Sequence, residues 1–454
     1  MSAPSFESGQ SGQANHPGGD AHAKALAINL ESSIYGTFAE IGAGQEVARW
    51  FLSVGAASGT VAQAISAYDK TVSDDIYGAG TRYVSKERLL AMLDREYQIL
   101  LDRLDKDRGS NTRFFVFADT IATRNYQGNN EQHGWLGIRF QAEPKSEPNQ
   151  ILLHVRLGDS TAQLQQMAVG TLGVNLIYAC YHQRSSPKTF LAGLLDEVSL
   201  ERVEIDVLEI SGPTFAGVDS RLWCLHMVRN GLSRAFVFDS KAQPVEPATP
   251  LRKRPIIVHS PLPSDAGESV AVPFQAAREQ FAAEGKAFDY EPVAVSVLTK
   301  PNFEDSASDD AALLARIERL ALLGTVVATN YSEGYEIIGH IRRYTAAPVR
   351  IIFWVSDLLR VMEDRVYQSL PGAVLEDLGR LLFTDVTIYV ASMPMELLVA
   401  AHGGMPEGVV HGRAGSDVVT LDDFLPKPPT DHLFRYLRAA GRIVPLQELQ
   451  ATTR

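Results

Sequence analysis

The sequence of 454 residues contains very little cysteine and no cysteine spacing that would bind structural zinc. Only Cys180 and Cys224 are present, and neither belongs to a Cys-x-x-Cys pair. Sparse cysteine is typical of reducing compartments, so we expect two buried thiols rather than a disulfide. Residues 1–23 have no apolar core, so we expect no secretory signal. These absences predict a cytoplasmic protein and no metal site.

Complete catalytic motifs are missing as well. The sequence has no His-Glu-x-x-His pair, no Gly-Lys-[Ser/Thr] phosphate loop and no Gly-x-Ser-x-Gly nucleophile turn. Basic residues are outnumbered: 42 Lys and Arg face 54 Asp and Glu, for a net charge of −12. An acidic chain repels phosphate backbones and anionic lipid, so we expect neither nucleic acid nor a membrane as a partner.

One segment is long enough to raise the question of a membrane span. Residues 160–183 contain no Asp, Glu, Lys or Arg. They do contain Gln163, Gln165, Gln166 and Asn175, which a lipid-exposed helix would not tolerate well. We therefore expect a helix buried between layers of the protein.

Regular alternation of strand and helix patterns is what the sequence does contain. It predicts the α/β class, with a mixed-sheet N-terminal domain over residues 34–241 and a doubly wound, mostly parallel, Rossmann-like domain over residues 255–454. Three prolines and a basic run in residues 242–254 predict an extended linker. Residues 1–33 are expected to be a disordered tail.

Two glycine-containing loops in the first domain are typical of phosphate binding. Gly42 and Gly44 stand between a predicted strand and a predicted helix, where backbone N–H groups can hold an anion. Ser58, Gly59 and Thr60 precede residues 61–68, for which a second helix is predicted. The structural alternative is a tight turn for the first loop and close packing of small residues for the second. Both favour a nucleotide of the ATP or NAD type as ligand.

The densest polar region of the sequence lies in residues 119–159. Asp119, Glu131 and His133 are candidate acid–base groups. Four further side chains are candidates for binding an anion or the ligand: Arg124, Arg139, His154 and Arg156. Alternation along the predicted strand 151–157 puts His154 and Arg156 on one face. The alternatives are ordinary surface polarity on an edge hairpin and a metal site formed by His133, His154 and an acid.

Several segments together resemble a bacterial family whose members often carry the name nicotinate-nucleotide adenylyltransferase, and sometimes TonB-dependent receptor: residues 40–49, 57–60, 66–69, 130–135, 173–178 and 321–331. The resemblance spans about residues 34–450 and implies a two-domain cytosolic protein. Nicotinate-type nucleotidyltransferases have a Gly-x-Phe-x-Pro-x-His-x-x-His loop after their first strand. Residues 260–267 read Ser-Pro-Leu-Pro-Ser-Asp-Ala-Gly instead, which implies that the second domain has lost this loop's chemistry.

The leading hypothesis is a protein that binds a nucleotide or another small phosphorylated metabolite, with group transfer as the reaction if it is an enzyme. A non-catalytic scaffold or assembly subunit is the alternative, favoured by the absence of any complete catalytic motif. An NAD-dependent oxidoreductase built on Gly42 and Gly44 is a third reading, but position 47 is Val where the dinucleotide fingerprint has a small residue. The oligomeric state stays open, a homo-oligomer included.

Overall fold

The computed structural model describes residues 20–80, 82–259, 271–285, 291–298, 307–362, 370–409 and 417–447. The chain divides into two compact units, Met1–Val218 and Asp219–Arg454. This division falls upstream of the linker predicted at residues 242–254. No helix in the described part of the chain is long and apolar enough to cross a membrane.

The first unit is built on a six-stranded mixed sheet with the strand order β2-β1-β3-β4-β5-β6. Its first three strands are parallel, and β4, β5 and β6 then add antiparallel to β3. The pairing of β4 with β5 confirms the antiparallel hairpin predicted from their short connection. The strands are β1 (Ile34–Ile41), β2 (Val61–Ile65), β3 (Arg113–Ala122), β4 (His133–Phe140), β5 (Asn149–Leu157) and β6 (Val203–Ser211).

Helices cover both faces of this sheet. They are α1 (Ala21–Asn29), α2 (Glu46–Ser53), α3 (Lys70–Tyr77), α4 (Lys86–Arg108), α5 (Ala162–His182) and α6 (Pro187–Leu194). Helix α4 packs Leu89, Met92 and Leu93 onto one face. On the opposite face Phe38 of β1 contacts Phe51 of α2, with ring centroids 5.0 Å apart. Successive side chains of a strand point to opposite faces of the sheet, so Phe38 faces α2 and its neighbour Ala39 faces α4.

Helix α5 is the uncharged segment identified from the sequence. It begins after Thr161, whose side-chain oxygen accepts a hydrogen bond from the Leu164 N–H at 3.2 Å. Most of its residues are buried, including Asn175. Asn175 accepts a hydrogen bond from Lys24 Nζ at 2.7 Å, and its amide donates to the carbonyls of Leu194 and Asp196. Its polar groups are therefore satisfied inside the protein, as expected for a helix between protein layers.

Two local predictions for the first unit are wrong. Residues 61–65 form the edge strand β2 instead of a helix, because they pair in parallel with β1. Residues 21–29 form helix α1, so the predicted tail of residues 1–33 includes a folded helix. Asp20 begins this helix by accepting the Ala23 N–H at 2.7 Å, and Ala25 and Ile28 bury the helix against the core.

The second unit contains an eight-stranded sheet with the strand order β16-β13-β12-β9-β10-β11-β7-β8, together with a short hairpin of β14 and β15. Neighbouring strands are parallel throughout the part of the sheet that runs β16-β13-β12-β9-β10-β11. The strands are β7 (Ala235–Phe238), β8 (Pro244–Val245), β9 (Ile256–His259), β10 (Glu291–Val297), β11 (Thr325–Thr329), β12 (Val349–Trp354), β13 (Val386–Ala391), β14 (Met393–Pro394), β15 (Val418–Val419) and β16 (Ile443–Pro445).

The parallel strands of the second unit follow the 3-2-1-4-5-6 order of doubly wound folds. This order confirms the predicted architecture of the C-terminal half. The helices are α7 (Ser220–Arg229), α8 (Ala248–Leu251), α9 (Ala271–Ala283), α10 (Ala307–Ala321), α11 (Gly334–Arg342), α12 (Val355–Val361), α13 (Ala373–Leu381), α14 (Met395–His402) and α15 (Thr430–Ala439).

The predicted linker is not an extended connection. It contributes β8, which pairs with β7, and helix α8, which buries Ala248 and Leu251. Strand β7 in turn pairs antiparallel with β11, so this region completes the edge of the second sheet. Cys180 and Cys224 are both free and buried, as expected for reduced thiols.

Candidate functional site

The first unit has a topological switch point between β1 and β3. From β1 the chain crosses to β2 on one side, and it returns to place β3 on the other side of β1. The carboxyl ends of the two central strands therefore lie side by side. Ligands of open α/β sheets gather at such a position, so the side chains near it are the natural candidates for function.

Two buried carboxyl groups stand at this switch point, on the face covered by α2 and α5. Glu40 and Asp119 are register partners on adjacent strands, and both are almost completely buried. Burial, more than the Glu40 charge, raises the pKa of Asp119 well above its ordinary value. Burial also raises the pKa of Glu40 to about 7, against the opposing effect of the N–H groups of Ala48 and Val47. The pair is therefore most stable when it retains a proton.

Glu40 also determines what the Gly42–Gly44 turn can bind. Its two carboxylate oxygens accept the N–H groups of Val47 (3.0 Å) and Ala48 (2.9 Å) at the start of α2. Gly42 and Gly44 have φ values of +92° and +77°, as a strand-to-helix turn requires. A phosphate at the start of α2 would have to compete with Glu40 for these two amides. The turn is formed as predicted, and an internal carboxylate occupies its anion-binding position.

The second predicted phosphate loop has a different environment. Because residues 61–65 form a strand, Ser58, Gly59 and Thr60 do not precede a helix, and the helix N-terminus expected to bind an anion does not exist there. Ser58 is exposed. The Thr60 hydroxyl is buried and donates to the Ile28 carbonyl at 3.4 Å. This loop contacts the end of α1 and leads into the edge strand β2.

A second polar cluster lies on the opposite face of the same sheet, under the segment that leads into α4. Its centre is a hydrogen-bonded chain of three buried side chains from three adjacent strands: His133 of β4, His154 of β5 and Asp206 of β6. His133 Nδ1 lies 3.0 Å from His154 Nε2. His154 Nδ1 is hydrogen-bonded to Asp206 Oδ1. The chain runs from the nearly buried His133, 7% exposed, to the interior.

A β-bulge places Asp206 in this chain. His154 of β5 pairs with Val207 of β6, and the next residue of β5, Val155, pairs with Ile205. Asp206 is thus the extra residue of β6, and bulges of this kind redirect a side chain next to functional positions. Its second oxygen, Oδ2, is buried without a hydrogen-bond partner among the described residues.

Three further side chains complete the cluster. Arg156 stands two residues beyond His154 on the same strand face, in register with His133. The Trp135 ring lies against His154, with centroids 5.1 Å apart, and its indole N–H has no partner among the residues that the structure describes. Thr120 donates to the Tyr83 carbonyl at 2.6 Å, which fixes the covering segment.

The electrostatics of the cluster keep His133 uncharged. Burial lowers the pKa of His133 to about 3, and the charges of Arg156 and Arg82, and any positive charge on His154, act in the same direction. Asp206 opposes them. At neutral pH His133 is therefore a neutral imidazole with one nitrogen that donates and one that accepts.

The structure brings together three of the predicted site residues, His133, His154 and Arg156, and separates the others. Asp119 lies on the opposite face of the sheet. Glu131 and Arg124 are exposed on the loop between β3 and β4. Arg139 is on the same strand as His133 but six residues away, about 20 Å along β4. There it forms an ion pair with Asp94 and bonds the Gln150 side chain at 2.6 Å.

Sequence reasoning missed Asp206 and Glu40. Both stand inside apolar strands, in Val-Glu-Ile-Asp-Val-Leu and Phe-Ala-Glu-Ile. Charged residues are rarely buried without a partner, so an acid within a buried strand was the available signal. Which histidine or helix N-terminus each acid would meet depended on strand register.

The second unit has its own switch point, between β9 and β12. The segment of residues 260–267, whose sequence departs from the nucleotidyltransferase loop, lies outside the described residues. Beyond the carboxyl ends of β12 and β13 is a cavity of about 560 Å³. Its lining combines apolar and polar side chains: Leu359, Met362, Met405 and Phe424 with His402, Glu407, Lys427 and Thr430.

Comparison with known proteins gives only distant structural likenesses. No family model matches the chain, and no curated protein matches it. The structure is similar to a competence/damage-inducible protein, CihA, from Agrobacterium tumefaciens, at 18% identity over 37% of this chain and 99% of that one, with a TM-score of 0.29. A protein of the competence-damaged (CinA) superfamily from Enterobacter cloacae shares 13% identity over 38% and 98% of the two chains, with a TM-score of 0.27. Likenesses at this level assign no activity.

Proposed function

We propose that the first unit binds a small phosphorylated metabolite or nucleotide at the cluster of His133, His154 and Arg156. The observation that carries the proposal is the chain of His133, His154 and Asp206. Three polar side chains from three strands converge in the interior, where the sheet could have been filled by apolar side chains at lower cost. Buried polar networks of this kind are expected at functional positions.

The charges around the outer end of the chain suit an anion. Arg156 and Arg82 both lie close enough to His133 to lower its pKa. Arginine binds phosphate oxygens through two parallel N–H donors. A bound phosphate would offset the positive potential of the two arginines, and it would accept hydrogen bonds from their guanidinium groups. The Trp135 N–H and Asp206 Oδ2, which have no partner among the described residues, supply a further donor and acceptor beside His154.

The same geometry supports group transfer. Neutral His133 can accept a proton from an attacking hydroxyl or water, while Arg156 holds the group being transferred. Histidine is the side chain most often used for this role. In this proposal His133 is the catalytic residue. Asp119 takes no part because it lies on the opposite face of the sheet, and Glu131 is exposed on the loop before β4.

A thermal-shift panel on the purified protein tests the proposal. The ligands are ATP, NAD, nicotinate mononucleotide, phosphoribosyl pyrophosphate and inorganic phosphate. A ligand at roughly 100 times its Kd stabilises by about 2.7 kcal/mol, which raises Tm by several degrees in a unit of this size. We expect at least one phosphorylated ligand to do so. A flat panel contradicts the proposal and favours the scaffold alternative.

Arg156→Gln and His133→Gln are the informative variants, and Arg95→Gln is the matched control. Arg95 is an exposed arginine on α4, so its loss removes the same charge without touching the cluster. We expect the ligand-induced shift to disappear in the two cluster variants and to persist in the control. Equal loss in all three would show that net charge alone drives binding.

The strand order of the second unit favours a second candidate, nucleotide binding at its own switch point. Doubly wound sheets of this order bind nucleotides outside the carboxyl ends of their strands. The 560 Å³ cavity is lined by Leu359 of α12, the helix that follows β12, and by Met362 directly after it. Met405, 42% exposed, lines it, and Met405→Trp would fill it. A ligand-induced shift lost in Met405→Trp but kept in Arg156→Gln would assign the ligand to the second unit.

A further inference from the structure

The hydrogen-bonded chain behind His133 allows its protons to be assigned. Asp206 as a carboxylate can only accept a hydrogen bond, so His154 Nδ1 must carry a proton. In a neutral His154 the other nitrogen, Nε2, is then a lone-pair acceptor. The contact of 3.0 Å to His133 Nδ1 therefore requires the proton to be on His133 Nδ1. The remaining nitrogen of His133, Nε2, is left as an acceptor.

No described residue donates to that acceptor, and His133 is the member of the chain nearest the surface. The assignment thus puts a lone pair at the outer end of the chain and a carboxylate at its inner end. Each hydrogen bond fixes the tautomer of the next ring, so the outer end of the chain depends on its inner end.

We propose that His133, His154 and Asp206 form a proton relay in which His154, and not His133, holds the positive charge. When a proton binds His133 Nε2, the proton on His133 Nδ1 moves to His154 Nε2. His133 becomes the neutral Nε2–H tautomer, and His154 becomes an imidazolium beside the Asp206 carboxylate. One proton enters and one moves on, so the chain gains a single positive charge.

The charged groups around the chain favour this destination. Asp206 faces His154 from β6 and also acts on His133, as do Arg156 of β5 and Arg82 of the covering segment. Glu204, a buried acid of β6, is the register partner of Arg156. An imidazolium at His133 would lie close to both arginines. At His154 it would be paired with a carboxylate, which favours the charged form. His154 and Asp206 are positioning residues, because they act on a substrate only through His133.

The catalytic use of this relay rests on the proposed function, but the relay itself can be measured in the free protein. We would label the histidine rings with ¹⁵N and record long-range ¹H–¹⁵N correlation spectra over a range of pH, with no ligand added. His133→Gln and His154→Gln identify the two rings among the 11 histidines. At high pH we expect His133 protonated at Nδ1 only. On acidification we expect His154 to become an imidazolium while His133 changes tautomer and stays neutral.

Asp206→Asn tests the inner end of the chain. Loss of the carboxylate should move proton uptake by the pair to lower pH by roughly one to three units. Asp94→Asn, which removes an acid paired with Arg139 at the far end of β4, should leave the uptake unchanged.

Three outcomes overturn the relay: a protonated His133 Nε2 at high pH, an imidazolium at His133, or unchanged uptake in Asp206→Asn. If Asp206→Asn fails to fold, the wild-type spectra still decide through the first two outcomes. A flat ligand panel together with the expected spectra would reject the proposed function and retain the relay.

Discussion

The Gly42 turn offers a sharp stability test, because two neighbouring glycines with similar backbones have different surroundings. A Cβ on Gly42 would lie 2.0 Å from the Ile121 carbonyl oxygen of β3, which no contact tolerates. A Cβ on Gly44 would have its nearest neighbour, Gln166 Cδ, at 3.6 Å, an ordinary contact. Both glycines have positive φ, so alanine pays the left-handed backbone cost at either position.

The magnitudes follow from these two terms. The left-handed backbone costs alanine about 1–2 kcal/mol, which is all that Gly44→Ala should lose. Gly42→Ala adds a backbone clash, for which overpacking gives a further 1–3 kcal/mol, so we expect a total of roughly 2–5 kcal/mol. For a unit of about 200 residues, each kcal/mol lowers Tm by about 2–4 °C.

Urea and thermal unfolding of the two variants measure the difference. Gly55→Ala is a further control, since Gly55 has a φ of +96° and no atom within 4 Å of the added Cβ. We expect Gly42→Ala to lose clearly more than either control. If all three variants lost the same free energy of unfolding, the close approach of the turn to β3 would be refuted.

Two further predictions concern buried charges. Because the Glu40 pKa is raised from 4.5 to about 7 in the folded state, the unfolded state loses its proton first as pH rises. The free energy of unfolding should therefore fall as pH rises from 4.5 to about 7, and urea midpoints at successive pH values would measure this. Asp119→Asn should make the fall smaller, and a steeper fall in that variant would contradict the pairing of the two carboxyl groups. Lys24→Met should cost about 3–5 kcal/mol, since it leaves the buried Asn175 and the partly buried Asp196 without their cation. The exposed Arg49→Met should cost less than about 1 kcal/mol. Equal losses in urea unfolding would refute the distinction.

The proposed site shows which features the periodicity of the sequence can predict. Alternation along β5 correctly predicted that His154 and Arg156 share a face. It could not show that Asp119, nearby in the sequence, faces the other way from His133, because that depends on where β3 ends and β4 begins. Nor could it select Asp206, whose position follows from a bulge in the pairing of β5 with β6.

The sequence by itself determined the α/β class, the doubly wound order expected of the second half, the buried helix α5 and the glycine turn after β1. These follow from local hydrophobic periodicity and backbone preference, which act within a few residues. Only the tertiary structure decided that residues 61–65 are a strand, that Glu40 occupies the amides at the start of α2, and that His133, His154 and Asp206 meet. Each of these depends on contacts between segments far apart in the chain, where strand register selects the partner and local preference does not.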